Sequence, residues 1–440
     1  MRGRPKVGSV VVGSLVTGFV LAVVLVAFPF AGAQENIISG VVLLAFAVGW
    51  ALLAVLSRWT DQPQMWASVP AGVMAVFGFG LVAWPNAVLH DWIGWLWPLV
   101  LLSLVAWMVV RARRDLRSRT RYWLLYPVFG VLAFAAAGGL YEIGREASDR
   151  SAYPMPGQLV DVGGYRLHLN CTGSGSPTVV LLPGAGEISS SWGWIAPAVA
   201  RDSRVCVYDL AGRGWSEAAT GPQDGVALAT DLHNLLDHAH VAGPYVLVGH
   251  SFGGLYVLNF AARYLDQVAG VVLLDATSTE MFTRLPTYPR LHEGYRRVSA
   301  VFPSLARLGI GRIAYRSNFD KLPTQSRREE VAFWSTARSA RSQLDEWTEA
   351  PIAMKQARSL RTLSPRPLIV LTAGYEAQEG WIPLQNELAA LSSNSDHRVL
   401  PNVAHMSLAD DESDASQSSQ AIRDVIQAVR SGKPLARPPS

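Results

Sequence analysis

Tyr245-Val246-Leu247-Val248-Gly249-His250-Ser251-Phe252-Gly253-Gly254-Leu255-Tyr256-Val257-Leu258 changes its periodicity at a single serine. Before Ser251 stands a short apolar run of the kind that forms a strand buried on both faces. After it, apolar residues at helical spacing continue to Tyr264. The junction reads Gly-x-Ser-x-Gly. A serine held on so sharp a strand-to-helix turn needs glycine on both sides, because a side chain at either position would collide with neighbouring backbone. Gly254 extends the close packing into the helix. An ordinary glycine-rich turn is the bland reading of the same residues, and the context of strand and helix weighs against it.

Working outward, short β-rich runs at 158–162, 165–171, 178–182, 204–210, 245–249, 270–275, 367–372 and 398–400 alternate with helical patterns at 190–201, 226–238, 252–264, 383–392 and 416–430. This alternation predicts an α/β fold with a mostly parallel eight-stranded sheet flanked by helices. Gly163-Gly164 joins the first two runs as a hairpin. The stretch 276–364 breaks the rhythm and reads as a mainly helical cap inserted above the sheet. Its Met281, Phe282, Leu285, Tyr288, Phe302, Leu305 and Leu308 are apolar groups able to line a pocket. The stretch 431–440 reads as a disordered tail.

The first third of the chain is expected to meet a different solvent. The protein is 50% apolar and only 16% charged, against about 25% charged for soluble domains. The excess sits in runs at 7–30, 37–56, 65–84, 93–110 and 123–141, each near the ~20 residues that cross a bilayer as helix. The domain plan is therefore a five-span transmembrane helix region over 1–145, a polar linker over 146–157 with Pro154, Pro156 and Gly157, and the α/β domain over 158–430. Arg2, Arg4 and Lys6 precede the first run, and Arg111, Arg113, Arg114, Arg117, Arg119 and Arg121 lie between the fourth and fifth. The loops at 31–36 and 85–91 carry no Lys or Arg. Positive charge stays in the cytoplasm, so the N-terminus is expected inside the cell membrane and everything after Tyr141 outside. The length of the first run argues against a cleaved signal peptide. The spans are expected to lack buried ionisable groups, which disfavours a transport path and favours an anchor.

Net charge follows the same division. Residues 1–150 hold 12 Lys and Arg against 7 Asp and Glu, whereas the remainder is close to neutral. A basic face for nucleic acid is not expected on the α/β part.

With strand, serine turn and helix in place, the chain resembles the α/β-hydrolase superfamily over roughly 158–430. Leu182-Pro183-Gly184-Ala185-Gly186 stands where that family has its oxyanion loop, with Pro-Gly where many members have His-Gly. Asp209-Leu210-Ala211-Gly212-Arg213-Gly214-Trp215-Ser216 resembles the family's turn after the fourth strand, and its Asp209, Gly212 and Gly214 read as structural. The resemblance implies Ser251 as nucleophile, the Phe252 and Ala185 backbone N–H groups as oxyanion donors, and His405, just past the last strand, as general base. His250, inside the Ser turn, should point elsewhere, and His397 precedes the last strand.

The acid is less clear. The loop after the seventh strand, Gly374-Tyr375-Glu376-Ala377-Gln378-Glu379-Gly380-Trp381, has no Asp. Glu376 or Glu379 could serve. Asp275, at the end of the otherwise apolar sixth strand, is the preferred acid, because a buried carboxylate needs a partner. Cys171 and Cys206 fall on the second and fourth strands, neighbours in the family's sheet order, and form either a disulfide or two buried thiols. No metal-ligand spacing, phosphate loop or cofactor motif stands out.

The expectation is thus a membrane-anchored serine esterase or lipase-like enzyme for a small-molecule or lipid ester, of unassigned oligomeric state. The competing expectation is a membrane protein whose hydrolase fold is a degenerate binding module.

Overall fold

The computed structural model describes residues 6–84, 87–117, 119, 121–315 and 317–436. Arg2, Arg4, the beginning of the 85–91 loop and the end of the expected tail, 437–440, lie outside the described residues. The chain divides into two compact units, 1–151 with 297–313, and 152–296 with 314–440.

The first unit is helical: α1 (Val7–Ala27), α2 (Glu35–Leu56), α3 (Ser68–Ala83), α4 (Ala87–Asp115) and α5 (Tyr126–Ala152). Among the described residues five helices are long and apolar enough to cross a membrane. Their lengths follow from apolar runs too long for a globular core helix. Small residues let them approach closely. A Cβ on Gly18 would lie 3.1 Å from the Gly49 Cα, and one on Gly78 would lie 2.9 Å from the Gly40 carbonyl. Such contacts hold helices together where apolar burial alone cannot, because lipid is as apolar as leucine. Phe19, Val76 and Phe134 point outward with 60%, 71% and 79% of their surface exposed, an exterior compatible with insertion in a bilayer.

Two expectations fail here. The linker over 146–157 is helical as far as Ala152, since no proline or glycine interrupts 145–153 and Arg145 pairs with Asp149 one turn on at 3.2 Å. The five apolar runs themselves hold no Asp, Glu, Lys, Arg or His, but just outside them the helix ends carry buried ones: Glu35, His90, Glu142 and Asp149 are all under 8% exposed. The reason is the segment 297–313, expected to be cap, which packs in this unit. Its Arg307 donates to Glu35 and Asp91, the latter at 3.1 Å. Its Arg312 donates to both Glu142 oxygens at 2.6 and 2.9 Å and to Asp149 at 2.6 Å. The carboxylates are tolerated in the interior because a guanidinium fork neutralises them.

The second unit is built on one sheet of order β1-β2-β4-β3-β5-β6-β7-β8. The strands are β1 (Gln158–Asp161), β2 (Arg166–Thr172), β3 (Thr178–Leu182), β4 (Val205–Tyr208), β5 (Tyr245–His250), β6 (Val268–Leu274), β7 (Leu368–Ala373) and β8 (Ser395–Leu400). β1, β2 and β4 pair antiparallel, and every other pair is parallel. β3, β4, β5 and β7 are buried along their whole length, as strands covered on both faces must be. One face packs on α6 (Ile195–Val199) and the other on α7 (Gly225–His238) and α8 (Phe252–Arg263). After β6 come α9 (Met281–Arg284) and α10 (Tyr288–Ser299), then α11 (Phe302–Ala306) and α12 (Ile310–Ala314), which belong to the first unit as far as Ile313, and then α13 (Thr324–Trp334) and α14 (Ala337–Ala357). Beyond β7 follow α15 (Trp381–Ala389), α16 (Ser407–Asp410) and α17 (Glu412–Ser431).

Cys171 and Cys206 face each other across the β2–β4 register and are joined in a disulfide. The expected tail is ordered at its start: α17 ends on left-handed Gly432, and Leu435 is buried with its N–H on Asn394.

Candidate active site

Ser251 joins β5 to α8 with φ +54° and ψ −121°, a conformation that L-residues avoid and that a tight surrounding must enforce. The surrounding is visible. Ser251 N–H donates to Leu274 O at 3.0 Å, and Thr277 and Gly254 both donate to Ser251 O. A Cβ on Gly249 would lie 2.4 Å from Gly253 carbonyl, and one on Gly253 would lie 2.1 Å from Leu182 O. Both glycines are therefore obligatory for the turn.

Asp275 leaves β6 with φ +43°, its N–H on Leu371 O of β7 at 2.7 Å. Its Oδ2 lies 2.6 Å from His405 Nδ1. Its Oδ1 accepts from Trp381 Nε1 at 2.8 Å and from the Ala373 N–H at 3.2 Å. Asp275 is 4% exposed. The loop after β7 thus sends a tryptophan donor to the acid, while its Glu376 and Glu379 stand in solvent. With Nδ1 engaged by the carboxylate, the other nitrogen of His405 is the one left for chemistry.

The loop after β3 is held on both sides of Ala185. Gly184 N–H donates to Glu187 Oε2 at 2.6 Å, and Gly186 N–H donates to Glu346 Oε2 at 3.1 Å. Glu346 is itself tied to Arg213 at 2.6 Å and to the Tyr256 hydroxyl. Among the described residues, neither the Ala185 nor the Phe252 N–H donates to a protein acceptor. Pro-Gly in place of His-Gly is accommodated, because carboxylates rather than the loop's own side chains fix its path.

His250 turns away from Ser251. Its Nδ1 lies 3.2 Å from Glu187 Oε1 and its Nε2 lies 3.0 Å from the carbonyl oxygen of His405. The two imidazole rings are 4.8 Å apart. Burial by itself would lower the His250 pKa, but the Glu187 carboxylate outweighs it and holds His250 above the ordinary imidazole value. Burial would raise Glu187, but His250 draws it below the usual carboxylate range. The His168–Asp209 pair, 2.8 Å apart and fully buried, has the same balance: burial opposes, and ion pairing prevails to raise His168 and lower Asp209. Asp209 also accepts from Ser189 and Trp215 N–H, so it braces the turn after β4.

Beside Phe252 stands an aromatic wall. Phe252 and Trp347 are 5.0 Å apart, Trp347 and Tyr295 4.4 Å, and Phe282 and Tyr288 5.0 Å. Met281, Leu285 and Tyr288 are buried in the same core cluster as Phe252, and Phe282 packs against it. Phe302, Leu305 and Leu308 do not join it. They lie in 297–313, in the other unit. Sequence reasoning also missed Glu187, Glu346 and Trp381. The acidic residue just after a glycine-rich loop was the available signal for the first. Among the described residues no group of three or more His, Cys, Asp or Glu could hold a metal ion.

The sequence pattern of the alpha/beta hydrolase fold family matches residues 177–412, more than half of the chain. Over 300 residues the chain is 31% identical to an uncharacterized protein of Schizosaccharomyces pombe, covering 60% of this chain and 55% of that protein. Over 124 residues it is 35% identical to 2-hydroxy-6-oxo-2,4-heptadienoate hydrolase of Pseudomonas putida, covering 27% of this chain and 44% of that enzyme. The chain therefore spans about half the length of these relatives. A structure from Pseudomonas aeruginosa assigned as an epoxide hydrolase superposes with a TM-score of 0.53 at 19% identity, covering 62% of this chain and 96% of that one. At that identity the likeness concerns the fold alone. Strand order, serine turn and sequence pattern converge, and the chain belongs to the α/β-hydrolase fold family.

Proposed function

We propose that this protein is a membrane-anchored serine hydrolase that cleaves carboxylic esters, of small-molecule or lipid type, on the extracytoplasmic side. The observation that carries the reading is the 2.6 Å contact of Asp275 with His405 Nδ1, beside a serine forced into the strained turn between β5 and α8. In this reading Ser251 Oγ attacks the ester carbonyl while His405 Nε2 takes its proton. The same nitrogen returns the proton to the departing alcohol, and water then cleaves the acyl-enzyme. Asp275 fixes the tautomer and stabilises the imidazolium. The Phe252 and Ala185 N–H groups receive the oxyanion, a role that suits donors with no other acceptor. Serine at the turn disfavours the chemistry of hydrolases that carry an aspartate nucleophile. The binding-module alternative draws its support from the missing Asp after β7, and the contact of Asp275 with His405 weighs against it.

Fluorophosphonate labelling of the full chain, with hydrolysis of p-nitrophenyl esters of graded chain length, tests the proposal. Wild type should be labelled and active, and Ser251→Ala neither. An unlabelled, inactive wild type would return the binding module to first place.

A further inference from the structure

Below the proposed triad lies a second carboxylate–imidazole pair that the hydrolytic steps do not use. Glu187 and His250 are 2% and 0% exposed. His250 Nδ1 faces a carboxylate oxygen and its Nε2 faces a carbonyl oxygen. With the Glu187 carboxyl drawn below the usual carboxylate range, both neighbours act as acceptors, an arrangement that favours protons on both ring nitrogens and an imidazolium at His250. Among the described residues the carboxylate in direct contact with it is Glu187, which also accepts the Gly184 N–H at 2.6 Å. One carboxylate therefore reaches two parts of the site. It pins the loop that carries the Ala185 N–H, and through His250 it pins the main chain of His405.

We infer that Glu187 is a positioning residue that sets the oxyanion loop and the catalytic histidine in register through the buried imidazolium of His250. The inference rests on the serine-hydrolase reading and adds to it a single control point for two groups that the sequence sets more than 200 residues apart. Geometry supports the division of labour. His405 is held by Asp275 at its ring and by His250 at its backbone. The loop is held by Glu187 at Gly184 and by Glu346 at Gly186. Loss of Glu187 releases one anchor of each, while Asp275 and Glu346 remain.

The test compares Glu187→Ala with Glu187→Gln in the full chain, using p-nitrophenyl acetate turnover and the rate of fluorophosphonate labelling, each per folded molecule. Gln keeps an acceptor for Gly184, and its amide can donate to Nδ1 of a neutral His250 whose Nε2–H still reaches His405 O. Ala keeps neither link. The expected result is a fall in kcat of about 10²–10³ for Ala, the cost of one misplaced oxyanion donor, with KM little changed and most of the loss recovered by Gln. Equal turnover per folded molecule in wild type, Ala and Gln would assign Glu187 to packing alone and overturn the inference. A wild type that is neither labelled nor active fails the hydrolase reading first, and this inference falls with it. Should the Ala variant not fold, wild type carries the test through ¹⁵N-histidine spectra, with the His250 signals identified by their loss in His250→Gln. Both ring nitrogens of His250 should remain protonated at pH 8, and a neutral His250 there would overturn the inference.

Discussion

Oδ2 of Asp275 lies 2.6 Å from Nδ1 of His405 although 130 residues separate them in the chain. Replacing Asp275 with Asn would present an amide donor or a weaker acceptor to that nitrogen and favour the wrong tautomer. The expected outcome is a folded protein whose kcat on p-nitrophenyl acetate falls by about 10⁴, as in serine-protease triads. Glu376→Gln and Glu379→Gln, both in solvent, should leave kcat near wild type. A severe loss in either would move the acid to the loop after β7.

Trp381 gives a graded version of the same experiment. Its indole N–H donates to Asp275 Oδ1 at 2.8 Å, so Trp381→Phe keeps the ring's bulk and removes one hydrogen bond from the carboxylate. A kcat about tenfold lower is expected, about 1.4 kcal/mol in the barrier. An unchanged kcat would mean that the Ala373 N–H suffices.

Glu330 on α13 is fully buried, and neither carboxyl oxygen makes a well-formed hydrogen bond among the described residues, the Ile188 N–H being the backbone donor near it. Burial, with Glu187, Asp209 and Glu329 nearby, pushes its pKa well above the ordinary glutamate value. Below about pH 4 both folded and unfolded chains hold this proton, and no cost arises. As pH climbs, the unfolded chain ionises first, so folded stability declines until the folded pKa is passed. Glu330→Gln should therefore leave Tm almost unchanged near pH 4 and raise it at pH 8. A Tm gain independent of pH would refute the protonation argument.

The Cys171–Cys206 bond joins the antiparallel edge to the parallel part of the sheet. Cys171→Ser with Cys206→Ser should destabilise the domain by about 2–4 kcal/mol. Calorimetry of the double variant against wild type under non-reducing conditions measures it. The same bond sets an expectation for sidedness, because such links persist outside the cytosol. Protease added to intact cells should remove the domain after Ala152. Protection until lysis would reverse the proposed orientation.

The places of Ser251 and His405 were legible because their signals are local: a glycine-flanked serine between a strand and a helix, and a histidine just after the last strand. Asp275 was legible only through cost, as a carboxylate at the end of an apolar strand. Trp381 was not legible, since its hydrogen bond to Asp275 crosses the sheet's carboxyl edge and no spacing encodes it, and Glu187 offered only its place just after the glycine-rich loop. The five apolar runs marked the helices but not their ends. Glu142 and Asp149 looked like the start of a solvated linker because their partner, Arg312, lies some 160 residues later in sequence. That same distance hid the place of 297–313, whose turn-rich pattern resembles the cap residues on either side of it.

The first unit takes residues 297–313 from the middle of the second unit's sequence, and this has a practical consequence for anyone shortening the gene. No single cut separates the two. A fragment beginning at Ala152 would still contain Arg307 and Arg312 without the carboxylates of Glu35, Glu142 and Asp149. It would also carry Ile310 and Ile313, 41% and 78% exposed even in the intact chain. A water-soluble version of the α/β-hydrolase-fold unit calls for two edits: removal of the leading helices, and replacement of the stretch from Arg297 to Ile313 by a short polar bridge.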